Sequence, residues 1–195
     1  IQAMSRHNKG QVIVPTGGGK TMCMIQDAIE QFKSGRLKTV VVVAPRILLA
    51  NQLSEEFLEF IKDVDVLHVH SGETHHTSTT NSKKIEEWHW KSKRHQLIFT
   101  TYHSLHKIQK ATAMLADTVY FDEAHNAVQK NFIEAVEHHS MYVVRNYFFT
   151  ATPKHSFTPF KTGMNDTDIF GGVICNVGAP KLVKQGYILP PKVKI

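Results

Sequence analysis

Two segments of the sequence carry residue types, at spacings, that could manage the chemistry of a polyphosphate. The first is Val14 to Thr21, VPTGGGKT, which joins an apolar run to an amphipathic one. Consecutive glycines let a backbone curl until its N–H groups converge on phosphate oxygens. Thr16, Gly17, Gly18 and Gly19 would form that cradle, Lys20 would bring a positive charge to the β- and γ-phosphates, and Thr21 would offer a hydroxyl to Mg²⁺. The general loop pattern begins with Gly, where this chain has Val14. The second segment is Thr118 to His125, TVYFDEAH, a short apolar strand that delivers two adjacent carboxylates at its end. In an open parallel sheet that edge is where ligands bind, so Asp122 and Glu123 would face the same crevice as the glycines. Asp122 suits the Mg²⁺ shell, and Glu123 suits orienting and deprotonating an attacking water.

Those residues need a scaffold, and the rest of the chain supplies its pattern. Apolar runs predict buried strands at Val12–Pro15, Thr39–Ala44, Val64–Val69, Gln96–Thr100, Thr118–Asp122 and Tyr147–Thr150. Amphipathic stretches between them predict helices at Thr21–Lys33, Ile47–Ile61, Ser82–Lys91, Ser104–Lys110 and Asn126–His138. Such alternation is that of βαβ units around a parallel sheet. Ser71–Ser82, rich in Ser, Thr and Gly, is expected to be a mobile loop. Beyond the polar Lys154–Asp168 segment, Phe170–Asn176 reads as a further strand and Pro180–Gln185 as a short helix, and Leu189 onward as the lead into a neighbouring domain.

The composition agrees with a single folded domain. The chain has 195 residues, 42% of them hydrophobic, enough for one core and too rich in apolar residues for wholesale disorder. Lys and Arg number 23 against 17 Asp and Glu, a net charge of +6 that suits a polyanion without proving one. Two cysteines, Cys23 and Cys175, form no disulfide framework and point to a reducing intracellular compartment. No apolar run approaches the roughly 18 residues of a membrane span. The sequence starts without an initiator Met and stops as an extended segment begins, so it reads as residues 1–195 of something longer. His68, His70, His75 and His76 cluster without a carboxylate or Cys at ligand spacing, which argues against a metal centre. Lys83–Arg94 interleaves five basic residues with Trp88 and Trp90; a solvated helix with its tryptophans packed inward is favoured over a single-strand binder.

VPTGGGKT, DEAH and TATP (Thr150 to Pro153), in that order, resemble the motifs of superfamily-two helicases and translocases of the DEAD/DEAH type. In that company Val14 is ordinary, because such proteins commonly carry P-T-G-x-G-K-T without the first Gly. APRILLANQ (Ala44 to Gln52) and TTYHSL (Thr100 to Leu105) resemble two further motifs of the superfamily. The tail from Phe170 is similar to the end of the first motor lobe in the helicase subunits of type III restriction enzymes.

The resemblance implies an α/β fold, a RecA-like P-loop three-layer sandwich with a mainly parallel central sheet, as lobe one of an ATP-driven motor that uses ATP and Mg²⁺ and expects a second RecA-like lobe after residue 195. It also implies that Arg46, Thr100 and Thr101 hold the phosphate backbone of one strand, and that Thr150 and Thr152 couple nucleotide state to that grip with His125 as partner. TATP is more typical of DNA motors than of spliceosomal-type RNA helicases, which favours DNA over RNA. A cytoplasmic or nucleoid-associated location follows, with no membrane partner. The superfamily's adenine-reading Gln would lie near or before Ile1, and its arginine finger comes from lobe two, since Arg46, Arg94 and Arg145 are poorly placed for that role. Two other readings stay open: a binding module that uses nucleotide only as a switch, and the lobe of an RNA helicase.

Overall fold

The computed structural model describes residues 2–15 and 19–177. Its centre is a seven-stranded sheet, every neighbouring pair parallel, in the order β3-β4-β2-β5-β6-β1-β7. The strands are β1 (Lys9–Ile13), β2 (Thr39–Ala44), β3 (Val64–Val69), β4 (His95–Thr101), β5 (Thr118–Phe121), β6 (Arg145–Thr150) and β7 (Val173–Asn176). Helices α1 (Gln2–Arg6), α2 (Lys20–Phe32), α3 (Ile47–Phe60), α4 (Ser82–Lys91), α5 (Leu105–Lys110), α6 (Ile133–Tyr142) and α7 (Thr167–Phe170) connect or flank them, with a 3₁₀ turn at Ala124–Val128. This is the α/β architecture of RecA-like helicase domains. Among the described residues no helix is long and apolar enough to cross a membrane.

The period-two geometry of a strand explains why the strands read as unbroken apolar runs. Val41 and Val43 join Val119, Phe121 and Phe148 in one core, beneath Ile85 of α4, Leu105 of α5 and Val136 of α6. Val40 and Val42 join Tyr120, Tyr147 and Phe149 in a second core on the opposite face, beneath Ile25 of α2 and Phe57 of α3. Both faces are covered, so both sets of alternating side chains must be apolar.

Several elements differ from the sequence expectation, among them α1, which the pattern does not predict, and β6, which begins at Arg145 rather than Tyr147. β1 begins at Lys9 and ends at Ile13, where the pattern placed Val12–Pro15. Its polarity is answered from far along the chain: Gln11 is buried, and its Nε2 donates to Met164 O at 2.7 Å and Gly171 O at 2.9 Å. The predicted helix Asn126–His138 is two pieces, the 3₁₀ turn and α6, because Asn126 Nδ2 donates to Glu123 O at 2.9 Å and competes with the helical ladder. Phe170 ends α7 rather than opening a strand, and β7 covers only Val173–Asn176 after Gly171 turns the chain at φ 68°. The Ser71–Ser82 stretch lies back on the outer edge of β3, with His68 N donating to Thr77 O and Thr79 N to His68 O, so the backbone groups of an edge strand recruit a segment of poor intrinsic propensity. Trp88 packs inward as expected, but Trp90 is 61% exposed, its Nε1–H donating to Ala113 O at 3.0 Å and its ring meeting His89 edge-on. The expected helix at Pro180–Gln185 and the lead-out from Leu189 lie outside the described residues.

Candidate nucleotide site

The site is built where α2 starts and β5 and β6 end. Val14 stays in the sheet register: its N–H donates to Thr150 O at 3.0 Å and its side chain is buried in the second core, which is why a branched apolar residue serves where Gly opens the general loop pattern. Thr16, Gly17 and Gly18 lie outside the described residues. Gly19 caps α2 at φ 82°, a left-handed conformation that glycine adopts without a Cβ penalty. Gly19 has no side chain with which to cap the first turn, and no acidic residue stands in that turn, so the positive end of the helix dipole suits an anion. Lys20 and Thr21 open that first turn.

At the end of β5 the chain turns abruptly. Asp122 N donates to Val43 O at 2.8 Å, which extends the ladder by one residue, and Glu123 then adopts φ 46° and ψ 55°. A left-handed Glu is uncommon, and strained residues of this kind gather at functional sites. Two contacts hold it. Tyr102 OH donates to Asp122 O at 2.6 Å, and Asn126 Nδ2 donates to Glu123 O. Neither was singled out in the sequence as a holder of this turn, although Tyr102 lies within TTYHSL and Asn126 directly follows DEAH.

The turn brings Lys20, Asp122 and Glu123 together. Lys20 Nζ lies 3.0 Å from Asp122 Oδ1 and pairs closely with Glu123 Oε1, one cation against two carboxylates. Burial works against the Lys20 ammonium, but Asp122 and Glu123 outweigh it and hold its pKa above the ordinary value. Burial pushes the Asp122 carboxyl up, and Lys20 only partly pulls it back. The Lys20–Asp122 contact is ionic rather than a well-aligned hydrogen bond: Asp122 Oδ1 is buried and has no hydrogen-bond partner. A buried carboxylate oxygen held only by an ionic contact to a lysine suits a hard cation, so Asp122 has the chemistry to hold Mg²⁺, and Thr21 carries its hydroxyl in the first turn of α2.

His125 lies at the same crevice. Its Nδ1 is 2.9 Å from Thr150 Oγ1 and 3.7 Å from Glu123 Oε2, and the same Thr150 Oγ1 accepts from Thr152 N at 3.1 Å. A continuous chain of contacts therefore runs from Glu123 through His125 and Thr150 to Thr152.

The three residues assigned to a nucleic-acid strand are not brought together in the same way. Arg46 is exposed at the start of α3. Thr100 and Thr101 end β4 in the interior, where Thr100 Oγ1 donates to Val69 O at 2.8 Å and Thr101 Oγ1 accepts from Ser104 N at 3.2 Å. The Thr100 hydroxyl thus donates within the fold, and the Thr101 hydroxyl serves it as an acceptor. Arg94 and Arg145 are also committed, to Asp65 and Asp27.

Comparison with known proteins bears on the fold and on the family. The chain aligns over 95% of its length with a nuclease-deletion mutant of the Type ISP restriction-modification enzyme LlaGI, solved with a DNA substrate mimic, at 22% identity and a TM-score of 0.71. It aligns over 95% with the ATP-dependent Type ISP enzyme LlaBIII bound to DNA, at 23% identity and a TM-score of 0.76, and over 91% with the Hef helicase domain of Pyrococcus furiosus, at 20% identity and a TM-score of 0.63. It spans 19%, 14% and 37% of those chains, so it corresponds to a minor part of each. No curated protein matches it. Residues 1–155 match the family described as Type III restriction enzyme, res subunit, and the chain belongs to that family as a superfamily-two helicase first lobe.

Proposed function

We propose that the chain is the ATP-binding lobe of a DNA helicase or translocase that couples ATP hydrolysis to movement on nucleic acid. The observation that carries this reading is Lys20 at the head of α2, drawn toward the two carboxylates of a strained turn, with Asp122 Oδ1 buried and lacking a hydrogen bond. The glycine-rich segment Thr16 to Thr21 would bind the phosphates, with Lys20 as their counter-charge. Thr21 and Asp122 would hold Mg²⁺, which supplies charge neutralisation at the phosphate oxygens when bound. Glu123 orients a water and takes its proton, and its left-handed backbone aims the carboxylate off the end of β5. His125, Thr150 and Thr152 relay the state of that site toward the surface.

For the nucleic-acid side, exposed Arg46 is the phosphate contact, while Thr100 and Thr101 contribute by shaping the end of β4, any contact of theirs passing through the main chain. DNA is preferred to RNA on the TATP motif and because LlaGI and LlaBIII, whose fold this chain shares, were solved with DNA or a mimic of it. A second RecA-like lobe would supply the arginine finger, and the whole protein would work inside the cell, in the cytoplasm or on the nucleoid. A pure nucleotide switch would have no use for Glu123 as a base, which disfavours that alternative.

Titration with a fluorescent ATP analogue and Mg²⁺ tests the reading. Lys20→Ala removes a charge-assisted contact of the phosphate loop and should weaken binding at least tenfold, about 2 kcal/mol or more. Equal affinities would remove the loop assignment.

A further inference from the structure

The segment that follows Pro153 takes no part in the nucleotide site. From Lys154 to Asn165 it carries Lys154, His155 and Lys161 and no acidic residue. It also holds the two most exposed large apolar side chains among the described residues, Phe157 at 91% and Phe160 at 95%. The base of the segment is tied. Ser156 N donates to Asn165 Oδ1 at 2.8 Å, Asn165 Nδ2 donates back to Ser156 O at 2.8 Å, and Met164 N donates to Lys154 O at 2.6 Å. Met164 is fully buried, and a Cβ at Gly163 would collide with the backbone of His155 and Ser156, so the two arms close only around a glycine. Beside Phe160 opens a cleft of about 660 Å³, floored by Val128 and Ile133 and rimmed by Lys130, Lys154 and Lys161, with no carboxylate in its lining.

We propose that this tied loop is a stacking platform for single-stranded nucleic acid, with bases lying on Phe157 and Phe160 and phosphates facing Lys130, Lys154 and Lys161. The charge decides the partner: a surface with three lysines and no acid complements a polyanion. The rings decide its form, because a duplex hides its base faces whereas a single strand presents them to aromatic side chains, whatever the sequence. The location adds a consequence. The loop leaves directly from Thr150–Pro153, whose Thr150 is joined to His125 beside Glu123, so a strand held here would adjoin the end of the nucleotide relay. The inference rests on the nucleic-acid reading above and deepens it by naming residues outside its motifs.

The test is fluorescence anisotropy of a labelled oligothymidine, and of an abasic strand of equal length, titrated with the full chain. Both phenylalanines are solvent-facing, so Phe157→Ala and Phe160→Ala leave the core intact. Each should weaken oligothymidine binding about tenfold while leaving the abasic strand and the ATP analogue bound as before. The Lys154→Gln/Lys161→Gln double variant should weaken both strands and flatten the log–log salt slope by about 1.4, which follows from roughly 0.7 per phosphate contact on a single strand. If the wild-type chain binds oligothymidine and the Phe variants bind it equally well, the platform is overturned and the nucleic-acid reading survives. If the wild-type chain binds neither strand, the nucleic-acid reading falls and takes the platform with it. Alanine variants that change only self-association would make the rings a protein contact, which also overturns the proposal.

Discussion

Two cation–carboxylate clusters occupy opposite ends of the sheet, share helix α2, and are built on opposite principles. At the N-terminal edge of the strands, Arg145 grips Asp27 with both arms of its guanidinium, at 2.8 and 2.9 Å. Tyr120 OH donates to the same carboxylate, Arg145 also donates to Thr118 Oγ1 and Met4 O, and its guanidinium lies 4.9 Å over the Tyr147 ring. One positive charge meets one negative charge there, and the Asp27 side chain is 3% exposed. At the C-terminal edge, Lys20 faces two carboxylates, Asp122 Oδ1 has no hydrogen bond, and the turn is strained. A cluster that serves stability closes its electrostatic account internally. One that serves chemistry keeps negative charge and unsatisfied lone pairs in reserve for a partner from outside.

If that contrast is right, the largest loss of stability belongs to the closed cluster. Arg145→Ala strands a buried carboxylate and should cost about 3–5 kcal/mol, read as a lower midpoint in urea unfolding. An unfolding free energy within about 1 kcal/mol of wild type would mean that the pair is not the fastening the geometry indicates.

Glu123→Gln should do the reverse. In the complete protein that carries this lobe, Mg-ATP binding should persist while turnover falls about 10²-fold or more, because the amide keeps size and hydrogen bonding but loses basicity. The unfolding midpoint should stay near that of wild type, since the residue is partly exposed and its backbone conformation is held by Asn126. Phosphate release measured with both proteins decides the matter, and an unchanged rate would remove Glu123 from the chemistry.

The smallest of the three effects is a pH dependence at the closed end. His139 of α6 is buried near Val143, just before β6, and burial pushes its pKa down to about 4. The unfolded chain, with a His pKa near 6.5, takes up a proton that the folded chain refuses, so stability is complete above about pH 6.5 and falls as the pH drops toward 4. Between pH 7 and pH 5 the loss from this residue is about 2 kcal/mol. His139→Gln should shrink the wild-type difference between unfolding free energies at those two pH values by that amount, and parallel behaviour of the two proteins would exonerate His139.

Much of this molecule could be read without coordinates, for identifiable reasons. Lys20, Asp122 and Glu123 stand out together because a carboxylate pair that alone could be a solvated turn gains meaning downstream of a glycine-rich loop, and the second strand stands out because burial on both faces demands an unbroken apolar run. What could not be read shares one cause, dependence on residues far along the chain. Gln11 looks like a loop residue until the carbonyls of Met164 and Gly171 take up its Nε2–H groups in the interior. Thr100 and Thr101 look available until Val69 O and Ser104 N engage their hydroxyls.

The sequence by itself determined the residue types, their order and the local turns that glycine and the alternation of apolar runs permit, because these depend on near neighbours. Only the tertiary structure decided that β1 would lie between β6 and β7, and that Arg145 would clasp Asp27, more than a hundred residues away. It decided as well that Asp27 would meet a cation of its own and that Asp122 would share one with Glu123. Charge balance at a buried site is a property of what packs around it, and no local stretch of chain contains that information.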